Sequence, residues 1–334
     1  MKHLFLIHSH TVFLTAMGVI EKLNLANRDV IIVTLRNYSP PDIGIKYKCY
    51  DLSETFEKGY HIFFSYSRKH FIYSRKNRDT VVNKLDCFIN EYVVNNYYLY
   101  IPHMQAPAFQ ILATNKKCAE CFFVQEGARI MYDLITNKNK WYFSLYNKLI
   151  LRNETRMWKA YAFFPSKDAK YKKTIKAFAF DKNYFGNLPQ ETIMVSWPKL
   201  EIGIRLDTSY PVFVLEGAVE LGQIEKNLYM HAVEKLIIEY GKDNNYIKFH
   251  PQQSNSTRTE ILDMFKRNEK NVESLPMDVP FELILTSHDN LTICGFGSSL
   301  LFYAKTFGHT VISNEKDLMV SPRYRMYCKN IQKL

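Results

Sequence analysis

The stretch "NYYLYIPHMQAPAFQILATNKKCAECFFVQEG", residues 96–127, contains the pattern that decides the fold. Two apolar and aromatic runs, 96–103 and 120–125, predict strands, and the spacing of apolar residues in 106–115 predicts a short helix between them. Strands connected through a helix are typical of parallel β–α–β units. The second strand runs directly into an acid–glycine pair, so a buried strand is predicted to deliver a carboxylate to the end of the sheet.

The same alternation continues on both sides of this stretch. Strands are predicted at 3–9, 30–35, 61–67, 212–217, 245–251, 290–297 and 309–313, and helices at 11–24, 78–93, 218–241, 256–268 and 298–308. Such alternation favours an α/β protein with parallel sheets. Because the alternation stops after the first series and restarts at 212, two Rossmann-like domains are expected.

The distribution of proline and glycine predicts where the domains begin and end. Proline and glycine are dense in 191–211, which is typical of an interdomain linker. We therefore expect a first domain at 1–190 and a second at 212–315. Residues 316–334 are expected to form a basic tail that could pack back on the first domain.

Composition limits the class of protein. The chain has 334 residues, 47% of them hydrophobic, which is enough for two packed cores. No apolar run approaches the roughly 18 residues of a transmembrane helix, and histidines interrupt the apolar start before it resembles an export signal. Six cysteines are few for this length, so reduced thiols in a cytoplasm are expected.

The net charge of +11 is concentrated in three basic clusters, at 66–78, 168–176 and 321–334. A basic surface attracts phosphorylated substrates, anionic lipid or nucleic acid, and it is equally typical of a solvated face. The sequence has no helix-turn-helix, RNA-recognition or zinc-finger pattern, so no nucleic-acid partner is predicted. A basic nucleotide- or RNA-binding protein without catalysis remains the alternative from a different class.

Glu126 and Gly127 are the first candidate site. A carboxylate at the end of a rigid strand can act as a general base, and burial would raise its pKa towards useful base strength. Glycine would allow a substrate to approach the backbone closely. The pattern recurs in "VFVLEG", 212–217, which ends in Glu216 and Gly217, and at most one copy is expected to be catalytic. Capping of the following turn is the structural alternative for Glu126.

The second and third candidates also follow predicted strands. Lys248 and His250 are two positions apart, share one face of a strand and together would suit a phosphate. Gly297, Ser298 and Ser299 lead from a strand into a helix, whose first N–H groups favour anions. A histidine packed at a strand end, and a serine that merely caps the helix, are the structural alternatives.

Cys118 and Cys121 form a CxxC motif, but a zinc site needs a second ligand pair. The chain has no other CxxC or HxxxH motif, so zinc binding is not predicted for this pair. A redox pair is expected after a strand, at the start of a helix, whereas this motif leads into a strand, so redox chemistry is not predicted either.

Taken together, three motifs in this order resemble those of the bacterial GT-B-type sialyltransferases, above all the lipooligosaccharide, capsule and O-antigen enzymes. They are Gln125-Glu126-Gly127, His250-Pro251 and Ser298-Ser299. The resemblance implies a GT-B-like fold, with two Rossmann-like domains facing each other across a central cleft. It differs at Gln125, where many relatives have a second acid.

The resemblance also implies a role for each motif residue. Glu126 would be the general base, and Glu216 would be noncatalytic. His250 would contact the donor phosphate and act as general acid. The remaining donor-binding residues would be Lys248, Pro251, Gly217, Gly297, Ser298, Ser299 and, through the segment Pro280-Phe281-Glu282, Glu282 at the ribose. Gly127, His8, His10 and His103 are candidates for contacting the acceptor.

The implied reaction is an inverting transfer from CMP-sialic acid to a sugar, most simply a galactoside, of a surface glycan or its lipid-linked precursor. No metal or other cofactor is expected, since serines, a histidine and a helix start can hold the leaving phosphate. A cytoplasmic enzyme in peripheral contact with the inner membrane would meet such acceptors. The alternatives are a polysialyltransferase and a GT-B transferase that uses another nucleotide sugar.

Overall fold

The computed structural model describes residues 1–41, 47–57, 80–103, 107–128, 176–185, 191–200 and 202–333. The chain divides into two compact units, Met1–Pro198 and Lys199–Leu334. In the described residues each unit contains one sheet, and every strand pair is parallel. The predicted α/β, GT-B-like class with two Rossmann-like units is confirmed.

The sheet of the first unit has seven strands in the order β3-β2-β1-β4-β5-β6-β7. They are β1 Lys2–Ile7, β2 Val30–Thr34, β3 Lys48–Asp51, β4 Tyr97–Ile101, β5 Cys118–Val124, β6 Lys176–Ala179 and β7 Glu191–Met194. The chain adds β2 and β3 on one side of β1, and then β4 and its successors on the other. The pair β1–β4 is therefore a topological switch point, beside which ligands bind in open α/β sheets.

Burial explains the central strands of this unit. All five residues of β2 and the last four of β1 are buried, as expected for parallel strands covered on both faces. Helix α1, His10–Lys22, follows β1 and is buried from Thr11 to Ile20, so its apolar residues surround it rather than lie on one stripe. Ser9 caps it by accepting from the N–H of Val12.

Two further helical segments pack in the first unit. Helix α2, Pro107–Ala113, connects β4 to β5, as the opening stretch predicts. Residues 80–88 are helical and continue into the π-helix Ile89–Val93. Their apolar side chains, among them Leu85 and Ile89, join the core formed by β1, β2 and β4.

The sheet of the second unit has five strands in the order β10-β9-β8-β11-β12. They are β8 Val212–Val214, β9 Asn244–Lys248, β10 Asn271–Ser274, β11 Thr292–Gly295 and β12 Thr310–Ser313. The helices are α3 Lys226–Tyr240, α4 Asn255–Arg267, α5 Phe281–Ser287, α6 Ser299–Thr306, α7 Glu315–Leu318 and α8 Pro322–Lys333. The strand order reverses between β8 and β11, which is the switch point of this unit.

Some boundaries differ from the predicted ones. The helix predicted at 218–241 begins only at Lys226, because Gly222 adopts a positive φ of 65° in the turn that follows β8. Strands β3, β6, β7 and β10 are four residues each and were not predicted. The strand predicted at 61–67 lies outside the described residues.

The division between the units falls after Pro198, inside the stretch 191–211 that the sequence analysis treats as a linker. The first residues of that stretch form β7, which pairs with β6 in the first sheet. At the other end, Leu318 and Tyr324 of the expected tail lie in the core of the second unit. The basic clusters 66–78 and 168–175 lie outside the described residues.

Among the described residues, no helix combines the length and apolar character that a bilayer crossing requires. None of the six cysteines is in a disulfide bond. A β-bulge in β5 opposite Tyr97 and Tyr98 brings Cys118 and Cys121 to the same core, where both pack as partly buried apolar groups.

Candidate active site

The first unit gathers three predicted site residues beside its switch point. His8 follows β1, His103 follows β4 and Glu126 follows β5, and these strands are adjacent in the sheet. His8 Nε2 lies 3.1 Å from Glu126 Oε2. One side-chain atom of each residue lies within 4.8 Å of the other two. We call these three residues the His–His–Glu cluster.

The charge of Glu126 differs from the expectation. Burial raises the pKa of this carboxyl, but the hydrogen bond with His8 and the electrostatic interactions with His103, His8 and Arg36 together hold the pKa below its ordinary value. Burial acts in the predicted direction, but the net shift is opposite to the expected one, because partners from three other strand ends outweigh the loss of solvent. Glu126 is therefore ionised at neutral pH and ready to accept a proton.

His103 is 5% exposed, and burial lowers its pKa to about 4. Its ring packs edge-on against Phe109 of α2, with 5.1 Å between ring centroids. A neutral imidazole of this kind can accept or donate one hydrogen bond beside the Glu126 carboxylate without adding charge.

Gln125 fixes the turn that carries Glu126. Its buried side-chain oxygen accepts from the N–H groups of Phe180 and Asp181, each at 3.0 Å, and its amide nitrogen donates to the carbonyl of Gly127 at 2.9 Å. These bonds need an acceptor and a donor on one side chain, which an amide supplies and a carboxylate does not. The departure from two acids at this position thus has a structural reason that local sequence did not reveal.

His10 is the first residue of α1, and its Nδ1 lies 3.0 Å from the Tyr38 hydroxyl. Tyr38 follows Arg36 and Asn37, which have φ angles of 56° and 55° at the end of β2. Two successive non-glycine residues in the left-handed region are uncommon and cluster at functional sites. Asparagine tolerates a positive φ better than most residues, so Asn37 is the one local sequence signal of this turn.

The second unit places its motif residues at three neighbouring strand ends. His250 follows β9, Gly217 follows β8 and Gly297 follows β11. A Cβ atom on Gly217 would lie 2.8 Å from His250 Nδ1, so glycine is needed there for the imidazole to fit. The resemblance implied that Gly217 lies at the donor, and in the structure the group that approaches it closely is His250.

Hydrogen bonds within the segment that follows β9, and from α4, fix the position of His250. Its Nδ1 accepts from the N–H of Gln252 at 3.2 Å, so the neutral ring carries its proton on Nε2. The backbone N–H of His250 donates to Oε1 of the Gln253 side chain at 2.8 Å. Arg258 of α4 donates to the carbonyl of Pro251 at 3.1 Å. Burial lowers the pKa of His250, and the charge of Glu220 opposes that shift.

Ser298 is the N-cap of α6, and its Oγ accepts from the N–H of Leu300 at 3.2 Å. Ser299 is exposed at the first helical position. The N–H of Gly297 donates to Glu216 Oε1 at 2.7 Å, so this amide already has a carboxylate partner. Capping by Ser298 and anion binding at the helix start are compatible, because the cap uses the oxygen of the hydroxyl and leaves its proton for another acceptor.

Glu216 lies among groups that disfavour its charge. Burial, offset in part by the hydrogen bond from Gly297 and reinforced by the charge of Glu315, raises the pKa of Glu216 to about 7. Tyr229 donates to the Glu216 carbonyl at 2.8 Å and fixes its backbone. The sequence gives no sign of this structural role of Glu216, since its partners Gly297 and Glu315 come from distant parts of the chain.

Lys248 and Glu282 belong to one arrangement. The Lys248 ammonium donates to the carbonyls of Pro276 and Val279, which precede helix α5. Glu282 is the second residue of α5, and burial raises its pKa while the charge of Lys248 opposes the shift. Lys248 thus holds the segment that presents Glu282, and its contact with a donor phosphate stays a prediction.

The fold resembles that of several solved structures. The S. aureus MnaA–UDP co-structure matches with a TM-score of 0.50 at 12% identity, covering 99% of this chain and 88% of that chain. A sialyltransferase from Photobacterium damsela matches with a TM-score of 0.49 at 14% identity, covering 97% and 78%. Acinetobacter baumannii MurG matches with a TM-score of 0.46 at 11% identity, covering 99% and 84%. The fold is that of GT-B-like proteins.

The model of the alpha-2,8-polysialyltransferase (POLYST) family matches residues 3–313. The chain belongs to this family, and it is a glycosyltransferase of the sialyltransferase class. No curated protein matches it in sequence.

Proposed function

We propose that this protein transfers sialic acid from CMP-sialic acid to a sugar hydroxyl of a surface glycan or its lipid-linked precursor, with inversion at the anomeric carbon and without a metal cofactor. The observation that carries the proposal is the Glu126 carboxylate, held beside the switch point of the first unit by His8 at 3.1 Å. Membership of a sialyltransferase family supports the same reaction class.

In the first unit, the ionised Glu126 would accept the proton of the acceptor hydroxyl as that oxygen attacks. The hydrogen bond with His8 orients the carboxylate, and the bond from Gln125 to Gly127 fixes the turn that carries it. A base with a lowered pKa accepts a proton less readily, but it is fully ionised at neutral pH. His103, neutral and buried, would contact the acceptor without competing for that proton.

In the second unit, the Nε2–H of the neutral His250 ring would donate a hydrogen bond to the phosphate as it departs, while the hydroxyls and amides at the start of α6 would bind its other oxygens. His250 follows β9 and helix α6 follows β11, and these two strands lie on opposite sides of β8. The two strand ends are therefore two interstrand spacings, or about 10 Å, apart, a distance that suits a nucleoside monophosphate between them. Glu282 would accept from the ribose hydroxyls. Lys248 would act by holding the segment before Glu282.

A second candidate is chain extension, in which the acceptor itself ends in sialic acid. The family description favours this candidate, because its name specifies an alpha-2,8-polysialyltransferase. The two candidates share the same donor and the same base, so they differ only in the acceptor and in the number of transfers to each acceptor.

The test is product identification after incubation with CMP-sialic acid and two acceptor sets, galactosides and short oligosialic acids. A single added residue on a galactoside supports the first candidate, and a ladder of products on oligosialic acid supports the second. Turnover with UDP-sugars but not with CMP-sialic acid would point to another GT-B transferase. If no sugar donor is consumed while nucleotide or RNA binds, the noncatalytic alternative is correct.

A further inference from the structure

We propose that the His–His–Glu cluster, His8, His103 and Glu126, binds a divalent transition-metal ion, with Zn²⁺ as the best match, and that the bound ion inhibits sugar transfer. Binding of the ion is independent of the proposed function. The inhibition rests on that function, because the ion would occupy the carboxylate that we assign as the base.

The geometry fits a zinc ion after a small movement. Two ligands of a tetrahedral zinc ion, with bonds of roughly 2.0–2.1 Å, are separated by about 3.3 Å. His8 Nε2 and Glu126 Oε2 are 3.1 Å apart, which is close to that separation. The ligand atoms of all three residues lie within 4.8 Å of one another, so the widest gap exceeds the ideal by at most about 1.5 Å. Rotation of one imidazole covers such a gap.

The ligand types are those of open zinc sites. Two histidines and one carboxylate leave a fourth position for water or an inhibitor, as in zinc sites of the His₂Glu kind. The three residues follow the adjacent strands β1, β4 and β5, so their backbones are held by the sheet. The side chain of His8 is 8% exposed and that of Glu126 is 18% exposed, which leaves access for an ion while removing most bulk water.

The charges around the cluster favour reversible rather than permanent binding of the ion. The Glu126 carboxylate offsets one of the two positive charges of the metal, whereas the nearby Arg36 guanidinium opposes it. Arg36 is exposed at the end of β2, so its charge is partly screened by solvent. We therefore expect Arg36→Gln to tighten metal binding severalfold, which gives a gain-of-binding test that a damaged fold cannot imitate.

Binding is measured by titrating the full chain, freed of metal by a chelator, with Zn²⁺ in a calorimeter. The parent should bind one ion at this site, and His103→Gln and Glu126→Gln should each weaken it by more than about 100-fold, since losing an outer-shell partner already costs about 10- to 100-fold. Two controls should bind like the parent. They are His231→Gln, an exposed histidine of α3, and Cys118→Ser, which removes a competing thiol.

Thermal unfolding provides the check on folding. Zn²⁺ should raise the Tm of the parent, of Arg36→Gln and of both controls, because a ligand that binds only the folded state stabilises it. It should leave the Tm of His103→Gln and Glu126→Gln unchanged. Absence of Zn²⁺ binding to the parent, or equal affinity in the parent and both ligand variants, would overturn the proposal.

Transfer assays separate this inference from the proposed function. Zn²⁺ should inhibit transfer by the parent and by His231→Gln, and a chelator should restore it. If the chain binds Zn²⁺ at these residues but transfers no sugar, the proposed function fails and the metal site stands. If transfer proceeds and Zn²⁺ bound at the cluster leaves the rate unchanged, the inhibitory role is refuted.

Discussion

At the residue scale, Glu126 and Glu216 show how similar local sequences acquire different chemistry. Each glutamate follows a buried strand and precedes a glycine. Imidazoles and a guanidinium lower the pKa of Glu126, whereas burial and the charge of Glu315 raise the pKa of Glu216 to about 7. An ionised carboxylate suits a base, and a carboxyl protonated near neutral pH suits a structural donor or acceptor.

The pKa of Glu216 predicts a pH-dependent stability. The unfolded carboxyl ionises near 4.5 and the folded one near 7, so the folded state binds more protons in between and loses stability as pH rises through that window. The full loss is about 3 kcal/mol at 1.36 kcal/mol per pKa unit. Glu216→Gln keeps an oxygen for the Gly297 N–H and removes the charge, so it should be more stable than the parent at pH 8 and similar at pH 4.

Urea denaturation of both proteins at the two pH values measures this difference. The other ionisable groups near Glu216 are Glu315, Tyr324 and Tyr229, and they are present in both proteins. A stability difference of equal size at pH 4 and pH 8 would contradict the assignment of the raised pKa to Glu216.

Gln125 gives a second prediction at this scale. Gln125→Glu would replace the donor to the Gly127 carbonyl by a carboxylate oxygen, so two acceptors would face each other. We expect a loss of about 1–3 kcal/mol in the free energy of unfolding, the usual cost of a buried unsatisfied group. Chemical denaturation measures it, with Gln223→Glu in a turn of the second unit as the control. Equal effects of the two substitutions would refute the role of Gln125.

At the scale of elements, helix α1 and the segment after β7 are packed through Gly18. A Cβ atom at this position would lie 2.3 Å from the backbone oxygen of Ser196. The neighbouring Trp197 donates its indole N–H to Thr15 Oγ1 of the same helix at 3.2 Å. The helix and this segment are therefore held at backbone distance, and glycine is required although it is a poor helix former.

Gly18→Ala tests this packing. Alanine favours a helix by about 1 kcal/mol over glycine, so a gain is expected if space is available. We expect a loss instead, of about 1–3 kcal/mol, because the backbone carbonyl cannot move as a side chain would. Thermal or urea unfolding measures it. Glu21→Ala, exposed near the end of the same helix, should change stability by less than about 0.5 kcal/mol, and a stabilised Gly18→Ala would contradict the packing.

At the scale of the whole molecule, the proposed base and the proposed donor site belong to different units, Met1–Pro198 and Lys199–Leu334. Each site occupies the switch point of its own sheet, and each has its own core. Substitutions in one unit are therefore expected to act on one step of the reaction, either proton removal from the acceptor or binding of the donor.

This separation predicts different kinetic effects. Glu126→Gln should lower kcat by about 10²- to 10⁴-fold, the usual contribution of a general base, and leave the Kd for CMP unchanged. His250→Asn should weaken CMP binding by about 10- to 150-fold, since a hydrogen bond to a charged group contributes about 1.5–3 kcal/mol. Steady-state kinetics and CMP titration measure both. Weaker CMP binding in Glu126→Gln, or full turnover in either variant, would contradict the division of roles.

The sequence by itself determined where the central strands and helices follow one another along the chain, because buried strands and amphipathic helices have apolar periods that can be read locally. It also located Glu126, His250 and Ser298 at strand ends. The four-residue strands β3, β7 and β10 were missed because they are largely exposed, so burial leaves no alternation in their residues.

Only the tertiary structure decided which side chains meet. Residues 8, 103 and 126 are far apart in the chain, and parallel pairing of β1, β4 and β5 brings their strand ends together. The direction of the Glu126 pKa shift, the partner of the Gly297 N–H and the contacts of Lys248 follow from such long-range neighbours. Local sequence encodes the period of burial, whereas charge and hydrogen bonding at a site depend on groups that other strands supply.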